Sequence, residues 1–131
     1  MYSKQGTSER QTVMTAQKPK FGTFVRERRT AKGYSLRRFA ELVGISPTYL
    51  SHVEQDKVDS PPTADRIQKM AELLGESADE LIAMAGRVPE DLPKIIQSQP
   101  EAMPALLRAV QGLTPEQLKK LQDQASKMRR E

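Results

Sequence analysis

The chemistry-bearing residues of this chain are hydrogen-bond donors and cations rather than nucleophiles. The chain has one histidine, His52, no cysteine and no glycine-rich phosphate loop. His52 directly follows Ser51, and neighbouring side chains on a helix point apart, so the two cannot form a nucleophile and base. Asp79 and Glu80 have no second ligand cluster at metal spacing. Catalysis, and with it any metal or cofactor, is therefore set aside. What remains suits the recognition of base edges and phosphates. Thr48 can offer a methyl to thymine or a hydroxyl to an acceptor, His52 can donate to N7 or O6 of guanine, and Ser51 reaches through water. Lys20, Arg26, Arg37, Arg38 and Lys57 supply cations for the phosphates.

Those residues need a scaffold, and the stretch SLRRFAELVGISPTYLSHVE, residues 35–54, provides it. It reads as two short helices joined by a tight turn. Ala40 is small enough for the second helix to cross close over the first. Gly44 stands where the chain must leave a helix through a left-handed conformation. Ser46 then Pro47 is a helix start, a hydroxyl cap followed by proline where no donor is lost. Leu50 and Val53 fill the wedge with Phe39 and Val43. With those inward, Pro47, Thr48, Ser51 and His52 face outward and Tyr49 lies at the edge, either touching a phosphate or packing in the helix seam, and all five are candidates for reading bases.

Around this pair the pattern predicts an all-α fold. A first helix runs from about Phe21 to Lys32, with Arg28 on its inward stripe and Gly33 ending it. After the breaker-rich DKVDSPP, in which Asp56 is a tolerable left-handed residue, a fourth helix starts at cap Thr63 and stops at Gly75. A fifth begins with a capping box of Ser77 and Glu80 and stops at Gly86. Residues 1–17 are polar and aperiodic and are expected to be disordered. The organisation is thus a tail (1–17), a five-helix DNA-binding domain (18–86) and a helical C-terminal oligomerisation region (87–131).

Charge distribution agrees. The net charge is only +4, but 18–57 holds nine basic against four acidic residues, while 59–85 reverses the balance. A polyanion is the natural partner of such a patch. At 37% hydrophobic residues any core is small. No run is long and apolar enough to cross a bilayer and no secretory signal opens the chain, so a cytoplasmic protein without membrane contact is expected.

The segment resembles the phage-repressor-like helix-turn-helix domains of the lambda repressor and Cro type, the XRE family. Arg29, Gly33, Ser35, Ala40, Gly44, Ser46, Leu50, Glu54, Pro62, Ala71, Leu74, Gly75 and the run Asp79, Glu80, Leu81 carry the resemblance. It implies a dimeric, sequence-specific regulator, a repressor on a palindromic double-stranded operator, with the third helix in the major groove. It also implies that Arg29 pairs with Glu54, which makes both structural, as are Ala40, Gly44 and Leu50. Two departures stand out. Leu36 replaces the frequent glutamine that bonds a phosphate, which passes that contact to Arg37 and Arg38. Pro47 and Thr48 replace base-reading glutamines, so operator preference differs.

Past Gly86 the text changes. Pro89, Pro100 and Pro115 each mark a helix start, and Pro93 and Pro104 interrupt the earlier pieces, leaving short helices around Leu92–Gln97 and Met103–Gln111. Thr114 and Gln117 form a capping box for a last helix whose Leu118, Leu121, Ala125 and Met128 make a seam. Ile95, Ile96, Leu106, Leu107, Val110, Leu118, Leu121 and Met128 either fold back on the fifth helix or meet a second subunit. A homodimer is expected, because a two-fold DNA site is matched by a two-fold protein. Similar repressors are cut in the tail by a regulatory peptidase, for which Leu107 and Arg108 offer a site. The alternative function is an antitoxin that binds DNA and neutralises a toxin through its C-terminal region.

Overall fold

The computed structural model describes residues 20–131, and among them the secondary structure is helix and turn without strand. The helices are α1 (Phe21–Ala31), α2 (Leu36–Val43), α3 (Pro47–Glu54), α4 (Ala64–Leu74), α5 (Ala78–Met84), α6 (Leu92–Ser98), α7 (Ala102–Ala109) and α8 (Pro115–Arg130). They divide into one unit ending at Pro89 and another, Glu90–Glu131. The expected tail, 1–17, lies outside the described residues. No helix among the described residues is long and apolar enough to cross a membrane.

In the first unit, helical spacing turns one stripe of each helix inward. Val25, Phe39, Ala40, Val43, Leu50, Val53, Ile67, Met70, Ala71, Leu74, Leu81 and Ile82 form the buried core. Each large side chain among them contributes roughly 1.5–3 kcal/mol by leaving water. α3 packs on α1 and α2, and α4 packs on α5 and touches α2. Hydroxyl caps set the starts: Ser35 accepts from Arg38 N, Ser46 from Tyr49 N and Thr63 from Arg66 N. Ser77 accepts from Glu80 N, but the return bond of the expected capping box does not form, so only half of that device is present.

α1 starts differently. Its N-cap is Lys20, whose side chain has no acceptor and makes no cap bond. The acceptor comes from beyond α3. Asp56 Oδ1 accepts from Gly22 N at 2.9 Å, and Oδ2 accepts from the Thr23 hydroxyl at 3.3 Å. Asp56 is left-handed, with φ of 58°, which turns its carboxylate back toward α1.

In the second unit α6 packs on α7, and none of α6, α7 or α8 contributes a buried residue. The prolines act otherwise than their positions suggest. Pro93 and Pro104 fall inside the first turns of α6 and α7 rather than interrupting them, because the first amides of a helix have no intrahelical acceptor to lose. Pro89 and Pro100 stand before the helices, and of the three expected starts only Pro115 opens one directly. There the capping box closes both ways, Gln117 N to Thr114 Oγ1 at 3.1 Å and Thr114 N to Gln117 Oε1 at 2.9 Å.

Candidate nucleic-acid interface

The turn between α2 and α3 sets the direction of α3. Gly44 has φ of 88°, and the amides of Gly44 and Ile45 both close on the Ala40 carbonyl, at 2.8 and 3.0 Å. The last carbonyl of α2 is taken from outside: Arg66 Nη1 donates to Val43 O at 2.9 Å. A Cβ on Gly44 would lie 2.2 Å from that nitrogen, so two constraints select glycine there.

α3 itself is clamped on its inner side. Leu50 and Val53 are buried, and Glu54 meets the equally buried Arg29 through Nε at 2.7 Å and Nη2 at 3.0 Å. The remaining Arg29 nitrogen donates to the Tyr34 carbonyl at 2.9 Å, so each of the three guanidinium nitrogens has a protein partner. On the outer side Thr48 and His52 are exposed, and Pro47, Tyr49 and Ser51 are half-buried. The two readings open for Tyr49 part here: its ring packs against the core and its hydroxyl donates to the Ser60 carbonyl at 3.0 Å. Ser51 Oγ accepts from Gln55 Nε2 at 3.1 Å and keeps its own proton for another partner.

Lys20, Arg26, Arg37, Arg38 and Lys57 are all exposed. Arg26, Ser51 and Gln55 line one shallow hollow with Leu36, whereas Lys20 lines another with Asp56 and Val58. Arg38 is engaged with Glu41 at 2.7 Å, both side chains more than half exposed. So exposed a pair contributes at most about 1 kcal/mol and can exchange its partner for a phosphate. Arg28, expected on the inward stripe, leans out over the Phe24 ring at 5.1 Å and places Nε 3.4 Å from Glu76.

Residues 25–81 match the model of a family described as helix-turn-helix. The matched segment is similar to XRE-type helix-turn-helix domains. Two strains of Mycobacterium tuberculosis each carry an uncharacterized HTH-type transcriptional regulator 38% identical to this chain over 65 residues, half of this chain and 45% of the relative. The chain therefore spans about half the length of the curated relatives it matches. Among solved structures, the master regulator for biofilm formation SinR, crystallised with DNA, is 31% identical and aligns over 47% of this chain and 97% of its own, with a TM-score of 0.43. The clp gene regulator ClgR of Corynebacterium glutamicum is 25% identical, with 72% and 90% coverage and a TM-score of 0.43.

Three residues in and just after the helix-turn-helix domain escaped sequence reasoning. Gln55 is exposed and continues the outward row of Thr48, Ser51 and His52, a signal present in the helical spacing itself. Arg66 braces the turn from α4. Arg87, beyond the matched segment, donates Nε to the Pro62 carbonyl at 3.0 Å and Nη2 to the Pro61 carbonyl and, at 3.3 Å, to Ser60 Oγ. Neither arginine carries a periodic signal, since each acts through a long side chain on backbone more than twenty residues away.

Proposed function

We propose that the chain is a sequence-specific regulator of transcription that binds double-stranded DNA with α3 in the major groove. The observation that carries this reading is the two-sidedness of α3. Its inner side is fixed by Leu50, Val53 and the Arg29–Glu54 pair, and its outer side presents Thr48, His52 and Gln55, flanked by exposed cations. A rigid helix with short polar side chains outward fits a groove whose edges carry donors and acceptors. In this assignment Thr48, Ser51, His52 and Gln55 face bases, Pro47 shapes the entry of α3, and Tyr49 borders the interface. Lys20, Arg26, Arg37, Arg38 and Lys57 contact phosphates.

The protein acts as a homodimer on a palindromic site, and represses by occupying promoter DNA. The region after Gly86 supports the dimer: Leu92, Ile95, Leu106, Leu107, Leu118, Leu121 and Met128 are all exposed. A second copy offers the same apolar residues in return. The names of the mycobacterial relatives support the regulatory role. Selection of bound sites from random duplex DNA tests the proposal. It should return an inverted repeat with half-sites about one helical turn apart or a multiple of it. Recovery of unrelated sequences, or binding indifferent to salt, would sink it.

A further inference from the structure

The loop 55–62 after α3 carries Lys57 and is held from three directions. Asp56 is fixed to the start of α1 through Gly22 N and the Thr23 hydroxyl. Tyr49, on α3, holds the Ser60 carbonyl. Arg87, which follows α5, holds the carbonyls of Pro61 and Pro62 and the Ser60 hydroxyl. Among the described residues no main-chain amide donates to those three carbonyls, so the side chains supply their partners. Packing beneath the loop is incomplete, for Phe21, Val53, Val58, Pro61 and Met84 line an open hollow. Val58 packs against the core and Pro62 is buried, and the hydrogen bonds add to that packing in determining where the loop lies.

We propose that Arg87 is a positioning residue for DNA binding: its fork of donors holds loop 55–62 in place so that Lys57 meets the DNA backbone already ordered. The inference rests on the reading of Lys57 as a phosphate contact. It makes a residue outside the matched segment part of the DNA-binding device. A loop ordered in advance loses less freedom on association, so the contact it carries is retained in full.

The test uses the full chain and a mixed-sequence DNA duplex, with affinity followed by fluorescence anisotropy over a series of salt concentrations. In the wild type, Lys57→Ala should weaken binding about tenfold and reduce the magnitude of the salt slope by about 0.9 per protomer. In an Arg87→Ala background the same Lys57→Ala change should have little further effect on either quantity. Arg87→Lys, with one ammonium in place of a fork, should fall between. Loss of the Arg87 charge alone weakens binding in both backgrounds and creates no such coupling. If Lys57→Ala has the same effect with and without Arg87, Arg87 does not position the contact and the inference fails. If Lys57→Ala changes nothing in the wild type, the phosphate reading of Lys57 fails and the inference falls with it. Should circular dichroism show Arg87→Ala unfolded, Arg87→Gln, which keeps one donor nitrogen, replaces it in the same cycle.

Discussion

Arg29 and Glu54 meet side by side in the interior, two nitrogens on two oxygens at 2.7 and 3.0 Å, with their side chains 10% and 4% exposed. The pair joins α1 to the last residue of α3, so this helix is fixed at its C-terminal end by charge as well as by Leu50 and Val53. Burying two ions is expensive, and the geometry offsets that only while both are present. Glu54→Leu should therefore destabilise the domain by roughly 3–5 kcal/mol, and Arg29→Met by a similar amount. Urea unfolding followed by circular dichroism measures both. A combined Arg29→Met, Glu54→Leu variant should recover much of the loss, and a double variant as weak as the sum of the singles would show that shape, not charge, was at stake.

Gly44→Ala should lower stability by at least about 1–2 kcal/mol, the cost of a left-handed conformation to an L residue. The crowding by Arg66 adds to it, at 2.2 Å from the new methyl. Arg66→Ala opens that space but leaves the backbone strain. In an Arg66→Ala background the Gly44→Ala penalty should thus shrink without vanishing. Thermal unfolding of the four proteins reports the coupling, and strict additivity would contradict the close contact.

Asp56→Ala removes the acceptor for Gly22 N and the Thr23 hydroxyl at the start of α1. A lost cap costs about 0.5–2 kcal/mol, to which alanine adds strain at φ of 58°. Asp56→Gly relieves the strain and keeps the loss of the cap, so it should destabilise less than Asp56→Ala. Equal denaturation midpoints for the two glycine and alanine variants would remove backbone strain from the explanation.

His52→Ala should change which bases are preferred, because His52 is exposed on the outer side of α3. Arg37→Ala should instead weaken all sequences about equally. Glu41→Gln should strengthen binding at low salt, since it releases Arg38 from its 2.7 Å pair and removes a negative charge beside the phosphates. Site selection with each variant, followed by titration on the recovered duplex, separates the three effects. Identical selectivity for wild type and His52→Ala would take that residue out of base readout.

Leu121→Lys places a charge in the exposed apolar seam of α8. If this seam joins two copies, sedimentation should show a shift toward monomer and operator affinity should fall, while the far-ultraviolet helix signal stays unchanged. A variant that sediments like the wild type would move the interface elsewhere.

The sequence was legible where one residue and its near neighbours decide the conformation. Ser35, Ser46, Thr63 and Thr114 act as caps because a hydroxyl needs only an amide three residues on. Gly44, Gly75 and Asp56 are left-handed because the chain must turn there. Helix phase likewise placed Thr48 and His52 outward. Local rules also failed where two of them competed. Pro93 and Pro104 read as breakers, yet a proline in the first turn loses nothing, and only the true helix start distinguishes the cases. The Arg38–Glu41 pair, an i,i+3 spacing, is legible in the sequence. The bonds of Asp56 to Gly22, Arg66 to Val43 and Arg87 to Pro62 could not be read at all. They join residues 34, 23 and 25 apart, and their partners are backbone atoms that every residue possesses.

The bond from Gly22 to Asp56 also orders events during synthesis. The first helix leaves the ribosome with its leading amide unanswered, and its answer is translated 34 residues later. Arg29 waits in the same way for Glu54, 25 residues on. At about 5–20 residues per second that interval lasts a few seconds. Until it has passed the nascent chain lacks its cap, and α3, which ends at Glu54, is complete only two residues before that cap arrives.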